Sequence, residues 1–221
     1  MRQLHLPMRI WDLPIRLFHW ALVCLIAFSW ITYKQGWMEW HVLSGYTILS
    51  LLLFRVVWGF IGSDTARFAF FLKNPLEALR HLSHLHRREP DTEIGHNAAG
   101  GWMVLVMLGL LFAQVLTGLG SNDDIAVEGP LATRLGKELS DQVTRLHHLG
   151  SKVILAMIGM HILAIITYAV LKRHNLVRPM ITGKKRLPGA MRAPCIASPI
   201  LAAGVYAIAV AAVFAFVRLA P

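Results

Sequence analysis

Read from its first residue, the chain alternates between apolar stretches about twenty residues long and short polar connections. Five stretches stand out: residues 15–33, 42–61, 98–119, 146–171 and 197–217. A helix rises about 1.5 Å per residue, so roughly 20 apolar residues cross a hydrocarbon core about 30 Å thick. Each stretch therefore predicts a transmembrane helix, and almost nothing is left over for a water-soluble domain. The first stretch follows Arg2, Arg9 and Arg16, as a signal peptide would. It is too long for a signal core and has no small-residue cleavage site before Lys34, so it is expected to be retained.

Composition agrees with this pattern. Charged residues make up 15% of the chain against about 25% in soluble domains. The net charge of +10 would suggest nucleic acid in a soluble protein, but its distribution excludes that reading. Sixteen of the 22 Lys and Arg lie on the N-terminal tail and on the second and fourth connections. This is the positive-inside signature: a cytoplasmic N-terminus, a periplasmic C-terminus and anionic lipid headgroups as the default partner. Cys24 and Cys195 imply neither a disulfide framework nor an iron–sulfur cluster, and no C-x-x-C-H motif is present. Any haem would be b-type, held by axial ligands and packing.

The connections differ in character. The outer loop 121–144 carries Asp123, Asp124, Glu128, Glu138 and Asp141, as a solvated loop or as a docking patch for a basic partner. The inner loop 62–95 places Leu76, Leu79, Leu82 and Leu85 at helical spacing among basic residues, which predicts an interfacial amphipathic helix. His81, His84 and His86 then read as its solvated face, since no carboxylate or thiol completes a metal site. A proline-bearing linker, 187–199, precedes a fifth helix without histidine. Residues 187–221 are thus expected as a packing appendage to a functional domain, 1–186.

The informative residues are the histidines at bilayer depth, where an ionisable side chain is costly and marks function. His161 sits in an otherwise apolar run, and His147 lies 14 residues before it. At 100° per residue the two differ by about 40° in direction and by roughly 21 Å along the axis, a separation suited to two stacked haems. His148 falls about 140° off that face. Facing ligands at matching depths are His41, paired with His147 toward the outside, and His19, paired with His161 toward the inside. Arg55, 14 residues after His41, points the same way, either to haem propionates or snorkelling to the interface. His96, at the start of the third stretch, is a propionate or quinone contact or an ordinary interfacial histidine. Polar groups and water access place quinone on the inner side near Arg55 and His96; the outer alternative offers His148 and Tyr33.

The segments RLFHW (16–20), WHVLSGY (40–46), GHNAAGGWMVL (95–105), LHHLG (146–150) and GMH (159–161) together resemble the bacterial cytochrome b561 family. That family is related to the cytochrome b subunits of nickel–iron hydrogenases and formate dehydrogenases. NLVRPMITGKK (175–185) is also similar, so the resemblance covers residues 9–182. It implies an all-α integral membrane protein of the bacterial inner membrane: a four-helix bundle binding two haems b, here with a fifth C-terminal helix. It also implies that His19, His41, His147 and His161 are the haem ligands, and that electrons pass between quinone and a redox partner. That partner would be a cytochrome c or a dehydrogenase or hydrogenase subunit. A self-contained quinone or superoxide oxidoreductase is the alternative. Continuous helices with histidines at two depths argue against a transporter, whose sites sit at midplane helix breaks.

Overall fold

The computed structural model describes residues 5–83, 92–123, 127–189 and 191–220. Five helices are long and apolar enough to cross a membrane: α1 (Leu13–Lys34), α2 (Met38–Ile61), α5 (Ala98–Leu119), α7 (Lys137–Thr167, continued by a π-helical turn, Tyr168–Lys172) and α9 (Pro199–Leu219). Short helices lie in the connections: α3 (Phe68–Phe71), α4 (Pro75–Ser83), α6 (Ala132–Leu135) and α8 (Val177–Thr182). The five spans match the five stretches to within a few residues, except that α7 begins nine residues before the predicted start at 146. Its first turns carry Glu138, Asp141 and Arg145, so the acidic outer loop is partly a helical stem standing beyond the apolar segment.

Local chemistry sets where the helices begin. Asn74 and Ser198 each precede a proline at the first helical position. The side chain of Asn74 accepts from Leu76 N–H, and that of Ser198 from Ile200 N–H. Asn97 accepts from Gly100 N–H at 2.8 Å and so fixes the start of α5 at Ala98. The bilayer sets which side chains point outward. The apolar windows of α1, α5, α7 and α9 are only 11–17% buried, whereas that of α2 is 56% buried. Ile208, Leu163 and Phe214 are exposed, as suits a hydrocarbon solvent.

The chain forms two compact units. The first comprises Met1–Leu17, Val56–Val106 and Ile158–Ala202. Here β1 (His5–Arg9) pairs antiparallel with β2 (Lys184–Pro188), from His5↔Pro188 to Arg9↔Lys184. This small sheet was not expected in an all-α chain. The N–H groups of Ile10 and Trp11 both donate to Gly183 O, and Gly183 takes φ +76°, which glycine adopts without strain. Thr65 Oγ1 donates to Ile10 O, and the fully buried Asp12 accepts from Ile15 N–H at 2.7 Å and Trp58 Nε1–H at 3.0 Å. The linker before α9 is pinned rather than loose. Asp64 and Cys195 exchange two hydrogen bonds, and Ala197 N–H donates to Ser63 Oγ.

In α4 the exposed Leu76 and Leu79 flank the buried Ala78, as an interfacial helix requires; His84, Leu85 and His86 lie outside the described residues, as does Asp124 in the outer loop.

The second unit comprises Phe18–Arg55, Met107–Met157 and Ala203–Pro221. Phe54 packs against Phe18 and Tyr206, which seats α9 on α2. Ser140 Oγ donates to Gly120 O, and Asn122 Nδ2 donates to Ser140 Oγ and Asp141, folding the outer loop onto the α7 stem.

Asp12 caps α1 and satisfies a buried indole at once. Asp12→Ala is expected to cost about 2–3 kcal/mol, because two buried donors lose their acceptor. Asp12→Asn, which keeps one carbonyl oxygen, should cost less. Thermal unfolding of the detergent-solubilised protein followed by Trp fluorescence checks this; equal Tm values for the two variants would contradict it.

Candidate functional site

Along α7 the residues at seven-residue intervals are Ser140, His147, Ile154, His161 and Tyr168. Seven residues advance a helix by nearly two full turns, so these positions form one seam. Ser140, Ile154 and Tyr168 are buried, which identifies the seam as the inward face. His147 and His161 therefore share it, whereas His148 is exposed.

The second unit brings His41 and His147 together. Their ring centroids stand 6.2 Å apart with planes at 87°. His41 Nδ1–H donates to Ser29 O at 3.0 Å and lies 3.1 Å from Ser29 Oγ. His147 Nδ1–H donates to Gln114 O at 2.9 Å. A carbonyl oxygen only accepts, so in both rings Nδ1 carries the proton and Nε2 keeps its lone pair. This is the tautomer a metal-ligating histidine takes when its second nitrogen is tied to a carbonyl. With both Nδ1 atoms engaged, the Nε2 atoms of His41 and His147 are the ones that would ligate a haem iron.

Gln114 also holds the second histidine through its side chain. Its Nε2 donates to His147 O at 3.0 Å and stands 3.3 Å from His147 Nε2. Two glycines make room for this arrangement. A Cβ on Gly150 would sit 2.3 Å from Gln114 Oε1, and one on Gly118 would sit 3.0 Å from His147 Cε1. Ser29, Gln114 and Thr117, whose Oγ1 is 3.3 Å from His147 Nδ1, were not singled out by the sequence reading. A glutamine inside the strongly apolar α5 was the available signal. Tyr33 packs between His41 and His148, at 5.8 and 5.9 Å.

The remaining expected residues divide between the units. His19, half-buried on α1 beside Trp20, and Arg55, 3% exposed on α2, belong to the second. His161, half-buried on α7, and His96 belong to the first, where the His96 ring packs between Trp11 at 4.7 Å and Phe71 at 5.1 Å. Among the described residues no three His, Cys, Asp or Glu side chains gather as a metal site. A porphyrin supplies four of the six ligands of its iron, so a haem asks only two of the protein.

Comparison with known proteins follows this geometry. A family profile described as prokaryotic cytochrome b561 matches residues 10–183. Curated relatives include proteins named probable Ni/Fe-hydrogenase B-type cytochrome subunit. The one from Bradyrhizobium diazoefficiens is 21% identical, covering 80% of this chain and 85% of the relative. That from Rhizobium leguminosarum bv. viciae is 23% identical, covering 80% and 87%, and that from Azotobacter chroococcum mcd 1 is 24% identical, covering 79% and 86%. No solved structure matches significantly. With its five spans and a profile match that runs from the entry of α1 to the turn before β2, the chain belongs to the prokaryotic cytochrome b561 family, multi-pass membrane proteins that transfer electrons through haem b.

Proposed function

We propose that this cytochrome carries electrons across the membrane between the quinone pool and a partner redox protein, through two haems b. The observation that carries the reading is the His41–His147 pair, two imidazoles of the same tautomer 6.2 Å apart whose Nε2 atoms would hold the iron of one haem. His19 and His161, the remaining histidines of the family resemblance, are assigned to the second haem. His161 lies on the α7 seam, 14 residues and about 21 Å beyond His147, which suits a second site at another depth. Haem b supplies a one-electron iron couple, and ligation on both faces suits electron transfer rather than oxygen activation.

The protein's part is to hold the rings, exclude water and balance charge. Ser29 and Gln114 orient the imidazoles. Arg55, almost fully buried in an apolar span, is assigned to the propionate carboxylates, which it can meet with charge-assisted hydrogen bonds. His96, braced by Trp11 and Phe71, is assigned to quinone on the N-terminal side. The excess of Lys and Arg on that side makes it cytoplasmic and the C-terminus periplasmic, in a bacterial inner membrane. Residues 1–186 form the electron-carrying domain and 187–221 its appendage. The names of the relatives suggest a nickel–iron hydrogenase as the redox partner. Turnover of quinone or superoxide by the purified chain alone would point instead to a self-contained oxidoreductase.

Acid–acetone extraction and haem quantification are expected to give two haems per chain, none of it covalently attached; a ratio near one would refute the second site. His147→Ala should remove one haem while His148→Ala retains both, as read by reduced-minus-oxidised spectra. The reverse pattern would show that the ligand is the neighbouring histidine. Gln114→Leu keeps both ligands but releases the clamp. Haem transfer to apomyoglobin should then be about tenfold faster for one haem, in the range found for partners that orient metal ligands.

A further inference from the structure

On the N-terminal side, the first unit contains a polar cluster that the electron path does not use. Tyr168 is 8% exposed, yet its hydroxyl lies 2.6 Å from His81 Nε2 on α4 and accepts from Asn97 Nδ2 at 2.9 Å. The orientation of the Asn97 amide is fixed, because its Oδ1 accepts from Gly100 N–H. The His81 and Tyr168 rings are nearly parallel, 12° apart. His81 in turn lines an open, polar hollow of about 260 Å³ with Lys73, Glu77, Arg80, Glu93 and Ala98. One hydrogen-bonded pair thus connects the surface to a buried hydroxyl.

The backbone is irregular at this point. Tyr168–Lys172 is the π-helical turn, and it ends at Arg173 with φ +58°, the one non-glycine residue at positive φ among the described residues. Isolated π-turns concentrate at functional sites, and the left-handed region is strained for a residue with a Cβ. Lys172, also buried, stands over the Tyr168 ring. Tyr168 is one seam position beyond His161, roughly 10 Å along the axis. A side chain needed only for packing has no use for a hydroxyl here, since phenylalanine would fill the same place without a buried oxygen to satisfy.

We propose that His81 and Tyr168 form a proton port that couples the surface hollow to quinone chemistry at the His161 end of the protein, an inference that rests on the quinone reading above. Reducing a quinone takes two electrons, which the haem iron passes singly, and two protons, which must come from water. For each proton, the Tyr168 O–H bond breaks as an O–H bond forms on the reduced quinone oxygen. The Tyr168 oxygen takes the Nε2 proton of His81 imidazolium, and His81 is reprotonated from water in the hollow. Quinol oxidation runs the same transfers backward. The charged and titratable groups around the pair are Lys73, Glu77, Arg80 and Glu93 along the hollow and Lys172 from the π-turn.

The test uses the purified full-length holoprotein with decylubiquinol and menadiol as reductants, and stopped-flow haem reduction as the readout. Tyr168→Phe keeps the ring and removes the hydroxyl. It is expected to retain both haems, to be reduced by dithionite at the normal rate, and to slow quinol-driven reduction at least tenfold. His81→Ala should slow it similarly, and added imidazole, which the open hollow admits, should restore the rate without changing the haem spectrum. Wild-type rates in both variants, or a slow His81→Ala that imidazole does not rescue beside an unimpaired Tyr168→Phe, would overturn the port and leave the quinone reading standing. If neither quinol reduces the wild-type protein, the quinone reading fails and the port falls with it.

Discussion

Imidazole has two ring nitrogens, and in hydrocarbon neither can be left to water. Donating Nδ1–H to a main-chain carbonyl satisfies one of them and decides the chemistry of the other, which is left as a lone pair. At His41 and His147 the acceptors are Ser29 O and Gln114 O, on neighbouring spans. A helical carbonyl already receives one hydrogen bond and has a second lone pair to offer, so the helices give up nothing to supply it. The position of each ring then depends on the packing of backbones. The small residues Gly118 and Gly150 stand where a larger side chain would push α5 and α7 apart or displace Gln114.

This constraint explains why the site tolerates so apolar a setting. A charged ligand such as a carboxylate or thiolate would have to be buried with its charge, at a cost of several kcal/mol after relaxation. A neutral imidazole avoids that. With haem held as proposed, the charge of the site would rest with the iron and the propionates, the latter within the proposed role of the buried Arg55.

The spans were legible because a bilayer imposes a single length and a single polarity on each of them. The α7 seam was legible for the same reason. On an otherwise apolar helix, two histidines 14 residues apart leave little else to consider, and the exposure of His148 agrees with the helical phase. The features that escaped the sequence are those set by distant residues. Strand β1 finds its partner in β2 far along the chain, and neither segment alternates between apolar and polar positions. The first turns of α7 are charged and amphipathic, so apolarity could not mark their start. Gln114 acts through its own carbonyl and amide at once, and only the contact with His147 reveals that. Likewise Tyr168 stood out with Thr167 as a polar exception in an apolar run, but its hydroxyl acquired meaning only when α4 brought His81 to it.

The β1–β2 pairing also bears on the order of events during synthesis. Residues 5–9 leave the ribosome before all five spans, but their partners, 184–188, follow the fourth span. The entropy of closing so long a loop grows only slowly with its length, but closure cannot begin before the second strand exists. Until then Gly183 cannot receive Ile10 and Trp11, and the segment leading into α1 lacks its anchor. The small sheet therefore closes late, only after four spans have been made, and fixes the entry to α1 at that point.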